Sequence, residues 1–127
     1  MPSDAVRDVD HTGLTQAALD ALPFGVIIVD REGTVIAYNR PERKLSGIGE
    51  KPVVGRNFFT EIAPCTAVGT FAGRLATFLD DPHDADGPFE FVFPFASAPQ
   101  RVVITFLKSR GNARRATICV SRSWSTA

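Results

Sequence analysis

A chain of 127 residues with 44% apolar and 22% charged side chains has the size and composition of one globular domain. Fourteen basic residues balance fourteen acidic ones, so net charge calls for neither nucleic acid nor an anionic membrane as partner. Two cysteines make no disulfide framework, Met1-Pro2-Ser3-Asp4 is unlike a signal peptide, and Val26-Ile27-Ile28-Val29 is too short to span a bilayer, which leads to the expectation of a cytoplasmic protein.

Residues 1–13 carry few apolar side chains, while Leu14, Ala18, Ala21 and Leu22 fall on one stripe and predict a short helix ended by Pro23. Residues 1–22 thus read as a partly mobile N-terminal helical cap on a domain over 23–123, with 124–127 as a tail. Phe24–Asp30 and Thr34–Tyr38 are β-rich and flank the turn Arg31-Glu32-Gly33, a hairpin pattern. Asn39 then has the features of a helix N-cap, with Pro41 in the first turn and Glu42 three residues on, and Gly47 and Gly49 end that helix.

Pro52–Phe59 reads as another brief helix, followed by a loop with Ala63-Pro64-Cys65. Phe71, Leu75, Phe78 and Leu79 recur at helical spacing and predict an amphipathic helix over Thr70–Asp80. Asp81–Pro88 reads as a polar loop. Strands are expected over Phe89–Phe95, Val102–Lys108 and Arg115–Arg122, with Pro94 favouring an edge or a bulge. The order predicts an α+β fold, one antiparallel sheet of about five strands with short helices packed on one face. Arg101, Lys108, Arg110, Arg114, Arg115 and Arg122 form an acid-free run that reads as a solvated sheet face.

Four residues stand out chemically. Tyr38 is the only tyrosine, Glu42 and Ser46 follow it in steps of four, and Cys65 is one of two cysteines. Each has an ordinary reading: Glu42 completes a capping box with Asn39, Ser46 is a polar helix-end residue, Tyr38 ends a strand with its hydroxyl in water, and Cys65 is a small buried hydrophobe. Cys119 sits in a β-rich run and reads as core. His11 and His83 lack ligand-spaced neighbours, so neither metal nor haem is expected. The ten phenylalanines are mostly packing, with Phe58, Phe59, Phe91 and Phe93 as candidate pocket walls.

The stretches Leu22-Pro23-Phe24-Gly25, Tyr38-Asn39-x-x-Glu42, Gly55-Arg56-Asn57-Phe58-Phe59 and Ala63-Pro64-Cys65-Thr66 change the balance. Across residues 22–122 the pattern resembles a PAS fold, and within it the photoactive yellow protein family. The resemblance implies a blue-light photoreceptor, not an enzyme, with p-coumaric acid joined to Cys65 as a thioester. Tyr38 and Glu42 would bond its phenolate, Ser46 would support Tyr38, and Thr66, Phe58, Phe91 and Ile48 would lie around it. It further implies a downstream signalling protein as partner, no nucleic acid or membrane, and a monomer or weak dimer.

These residue types suit that task. A buried phenolate tends to take up a proton unless two strong donors hold its charge. Glu42 donates only when protonated, and burial beside a negative oxygen drives it that way. On isomerisation of the chromophore's double bond, Glu42 would pass on its proton and be left as an unpaired buried carboxylate, at a cost on the order of 3–5 kcal/mol. Release of the N-terminal segment is the expected response.

The chain departs from the family at three places. Ile48 stands where the family carries an arginine over the pocket, with Arg43 a candidate substitute. Phe91 and Ser97 stand where it offers a tyrosine and a methionine. That missing methionine predicts slow thermal recovery. Two other functions fit the scaffold: a chromophore-free PAS module for ligand or protein binding, and a thiol enzyme using Cys65 as nucleophile and Glu42 as acid, for which no histidine lies nearby in sequence. A flavin-thiol photoreceptor lacks its cysteine helix motif here.

Overall fold

The computed structural model describes residues 16–94, 99–109 and 112–122. Ser97, residues 1–15 of the expected cap over 1–22, and the tail at 124–127 lie outside them. Five antiparallel strands form one sheet: β1 (Gly25–Asp30), β2 (Val35–Tyr38), β3 (Ala85–Pro94), β4 (Pro99–Ser109) and β5 (Asn112–Arg122), in spatial order β2-β1-β5-β4-β3. Helices α1 (Gln16–Asp20), α2 (Arg40–Ser46) and α3 (Arg74–Asp80) complete the fold with tighter and wider helical turns at Pro64–Thr66, Phe58–Ile62 and Gly69–Gly73. The expected α+β architecture is what forms.

The apolar run in β1 is continuous because both of its faces are covered. Ile27 and Val29 point into the main core with Ile104, Phe106 and Ile118, beneath Phe58, Phe71 and Phe78. Val26 and Ile28 point the other way and pack with Leu19 of α1. Alternation along a strand turns two sets of side chains to opposite faces, so a strand buried twice shows no polar alternation. Pro94 ends β3, an edge strand, as its missing N–H requires.

Several boundaries differ from expectation: a wide turn at Gly69–Gly73 takes the first part of the helix expected over 70–80, and β4 and β5 start at Pro99 and Asn112, earlier than expected. No helix spans Pro52–Phe59. Gly55 has φ +89°, Arg56 N–H bonds to Val53 O at 3.0 Å, and the segment ties to β2 through Gly55 N–H to Val35 O at 2.8 Å. The helical turn starts after Asn57, whose side-chain oxygen accepts from the N–H of Phe59 and Thr60. The polar loop is also shorter, since β3 begins at Ala85 and crosses a bulge between Asp86 and Phe89. Within the basic run, Lys108 is not solvated: its ammonium meets the Asp81 carbonyl and lies 4.6 Å from the Phe78 ring centroid.

Candidate functional site

Asn39 places the first half of the site. It is fully buried and makes four hydrogen bonds, accepting at Oδ1 from Val26 N–H (2.8 Å) and Glu42 N–H (3.2 Å) and donating to Leu19 O (2.8 Å) and Phe24 O (3.0 Å). The backbone N–H of Asn39 goes to Val26 O at 3.1 Å. A capping box would need that N–H for the Glu42 carboxylate, so the box does not form. Glu42 turns inward instead.

The Glu42 side chain is 2% exposed, and its Oε1 is a buried polar atom with no hydrogen-bond partner among the described residues. Burial pushes its carboxyl up from 4.5 to about 8, so it keeps its proton at neutral pH. Gly25 is part of this arrangement, because a Cβ there would collide with Glu42 Oε1. Next to it, Tyr38 ends β2 with its ring buried and its hydroxyl donating to Ser46 Oγ at 3.1 Å. Burial and then the nearby Glu42 charge hold the phenol well above its ordinary range, with Ser46 and the Arg43 cation opposing.

Cys65 comes from a different element. Asn57 caps the turn Phe58–Ile62, and the Glu61 carboxylate returns to Asn57 N–H at 3.0 Å and pairs with Arg56 at 3.3 Å. The chain then enters the turn Pro64–Thr66, fixed by Thr66 Oγ1 donating to Ala63 O at 2.7 Å. The half-buried Cys65 thiol is raised by burial, with its own backbone N–H opposing, which favours the thiol over the thiolate.

One cavity of about 670 Å³ joins these elements. Of the residues singled out in the sequence, Tyr38, Glu42, Ser46, Ile48, Phe58 and Cys65 line it, as does Phe93. Thr66, Phe59 and Phe91 do not. Thr66 is fully buried in its own turn, Phe59 packs edge-on against Phe58 and Phe71, and Phe91 stands behind the wall, packed edge-on against Phe71 and Phe93. Lys51, Arg56 and Glu61 line the cavity without having been foreseen. Arg56 and Glu61 flank the Asn57 cap, and the acid four residues after that asparagine was the signal available.

A cavity of this size suits a small organic molecule. The residues fit p-coumaric acid on this structure's own terms: a thiol able to carry an acyl group, an aromatic wall, and an unpaired protonated carboxyl beside a phenol. Among the described residues no histidine lines the cavity beside Cys65. His83, the described histidine, lies 3.5 Å from Asp81 after α3 and is not in the cavity lining. No cluster of metal-ligating side chains is found among the described residues, and no described helix is long and apolar enough to cross a membrane.

The family model described as PAS fold matches residues 19–125. Among curated relatives, the photoactive yellow protein of Rhodothalassium salexigens is 40% identical over 88 residues, covering 69% of this chain and 70% of the relative. That of Halochromatium salexigens is 36% identical over 104 residues, covering 80% and 82%. Among solved structures, the photoactive yellow protein domain of the sensor histidine kinase Ppr from Rhodospirillum centenum is similar with a TM-score of 0.77 and 43% identity, over 88% of this chain and 96% of that one.

Proposed function

This chain belongs to the photoactive yellow protein family of PAS-type photoreceptor domains, and from that premise we propose that it senses blue light through p-coumaric acid bound as a thioester to Cys65. The observation that carries the reading is the shared cavity, in which Cys65, Tyr38 and an unpaired, protonated Glu42 are all exposed to one small volume.

When bound, p-coumaric acid supplies a double bond that isomerises in blue light and a phenol oxygen that can hold either charge or proton. The chain supplies the rest. Cys65 Sγ fixes the acyl carbon. Glu42 donates a hydrogen bond from its protonated carboxyl, and Tyr38 donates from its hydroxyl. In the structure Tyr38 donates to Ser46. To serve a phenolate it turns its proton to the cavity, and Ser46 rotates to donate in turn, as a hydroxyl can do either. Phe58 and Phe93 give the chromophore ring an apolar wall to pack on.

Proton loss from Glu42 leaves a charge in a site where burial already raises its carboxyl to about 8. That cost, on the order of 3–5 kcal/mol, is comparable to much of a domain's net stability of about 5–15 kcal/mol. Partial opening is the output, read by a signalling partner in the cell interior.

The test is pigmentation. Protein mixed with an activated p-coumaroyl thioester should turn yellow, gain the acyl mass on one cysteine, bleach in blue light and recover slowly in the dark. Cys65→Ala should abolish both colour and mass gain, while Cys119→Ala should keep them. A parent chain that stays colourless favours the chromophore-free PAS module, a reading for which Ile48 at the cavity wall is the supporting observation.

A further inference from the structure

The loop after α2 is tied down by one side chain. Gly47 and Gly49 both have positive φ, at 75° and 63°, and neither has a neighbour within 4 Å of where a Cβ would lie. Such a loop has little packing of its own. Yet it carries Ile48, Lys51 and Pro52 to the cavity wall. Arg43, one turn inside α2, donates from Nη1 to Gly49 O at 2.8 Å and to Lys51 O at 2.7 Å. Its guanidinium carbon also lies 5.6 Å from the centroid of the Tyr38 ring. Gly47 N–H closes α2 on Arg43 O at 3.1 Å, and beyond it Lys51 N–H to Ile48 O and Ile48 N–H to Ser46 Oγ are both long at 3.4 Å.

We propose that Arg43 is a positioning residue with two effects: it closes the 47–52 loop over the cavity, and it sets a permanent positive charge against Tyr38 that favours an anionic oxygen there. The second effect rests on the phenol-binding reading above. The first does not. A guanidinium suits both, since its planar fork serves two carbonyls while its face meets an aromatic ring.

The charge acts among a defined set of neighbours. On the cavity side Glu42 and Ser46 come from α2, Lys51 from the loop, Arg56 and Glu61 from the segment leading to Cys65, and the Cys65 thiol from the turn after it, while Arg43 itself lines a second hollow with Asp20, Arg40, Lys44 and Glu50. Lys51, Arg56 and Glu61 sit on exposed residues, where solvent weakens their influence. Arg43 is the cation in contact with the phenol ring itself.

The experiment uses the unpigmented full chain with Cys119→Ser, so that Cys65 is the one thiol. Iodoacetamide alkylation at fixed pH reports closure. Both Arg43→Gln and Arg43→Lys should speed it severalfold, because neither holds two carbonyls as the guanidinium does. The methyl ester of 4-hydroxycinnamic acid, bound without covalent attachment, reports charge through its phenolate absorbance. Its ionisation midpoint should rise by about one pH unit in Arg43→Gln and return toward the parent value in Arg43→Lys. Thermal melts confirm that both variants are folded, and a lysine variant that restores the midpoint separates charge from simple structural loss. An unchanged midpoint in Arg43→Gln overturns the electrostatic effect, and unchanged alkylation overturns the closure. A parent protein that takes up no ester refutes the chromophore reading instead, and alkylation then decides closure alone.

Discussion

The cavity has two walls, each built on an asparagine-capped turn with a glutamate close behind, and the two turns use that glutamate in opposite ways. At Asn57 the Glu61 carboxylate returns to the cap's own N–H and stays exposed, paired with Arg56. At Asn39 the cap's N–H is taken by Val26 O, and Glu42 is turned into the cavity with Oε1 unpaired. An acid near a helix start is structural when the cap needs it and free for chemistry when a strand has already met that need.

The largest effect that could break this contrast is in the pH dependence of stability. The folded Glu42 carboxyl sits at about 8, above the ordinary 4.5. Below the lower value both folded and unfolded chains hold the proton. Between the two values only the folded chain does, so raising the pH weakens the fold until Glu42 ionises in place. The full loss is up to about 5 kcal/mol. Urea midpoints measured across pH should therefore fall through this window in the parent and flatten in Glu42→Gln. A parental slope that survives in Glu42→Gln means the carboxyl is not held neutral by burial.

The next effect compares the caps themselves. Asn39→Ala removes four buried hydrogen bonds and should cost about 3 kcal/mol. Asn57→Ala removes two cap bonds and one to Glu32 O at a more open site, and should cost about 1 kcal/mol. Chemical denaturation of the two variants gives the ratio. Equal losses would show that the phenol wall is no more firmly built than the thiol wall.

Residue type and spacing single out Tyr38, Glu42, Ser46 and Cys65, while it is the family resemblance that joins them into one site. Steps of four from Tyr38 put Glu42 and Ser46 on one face, and the Asn39 cap announced the helix that carries them. What spacing could not say is whether Glu42 would bond back to its cap, because that depends on Val26 from a strand thirteen residues away. The same holds for 52–59: Pro52 and Asn57 both resemble helix starts, and the cross-links to β2 that select Asn57 are tertiary. The family resemblance places Phe91 and Thr66 at the pocket, yet strand register and a local turn hold them behind the wall. Lys51 and Arg56 reach the cavity through loop geometry that leaves no periodic trace.

The smallest effect sharpens the contrast most finely, because it concerns a single hydroxyl. Ser46 Oγ accepts from the Tyr38 hydroxyl. Ser46→Ala should cost only about 1 kcal/mol by denaturation, since a single hydrogen bond to a partly buried hydroxyl is lost and the freed Tyr38 hydroxyl still faces the cavity. In pigmented protein the loss is of a different kind. An alanine cannot donate to the Tyr38 oxygen, so Tyr38 becomes a weaker donor to the chromophore oxygen and Glu42 carries more of the charge. The phenolate absorbance should then give way to the protonated form at a higher pH than in the parent. A midpoint that does not move while stability falls as expected would make Ser46 a helix-end residue and leave Glu42 and Tyr38 as the whole of the phenol wall's chemistry.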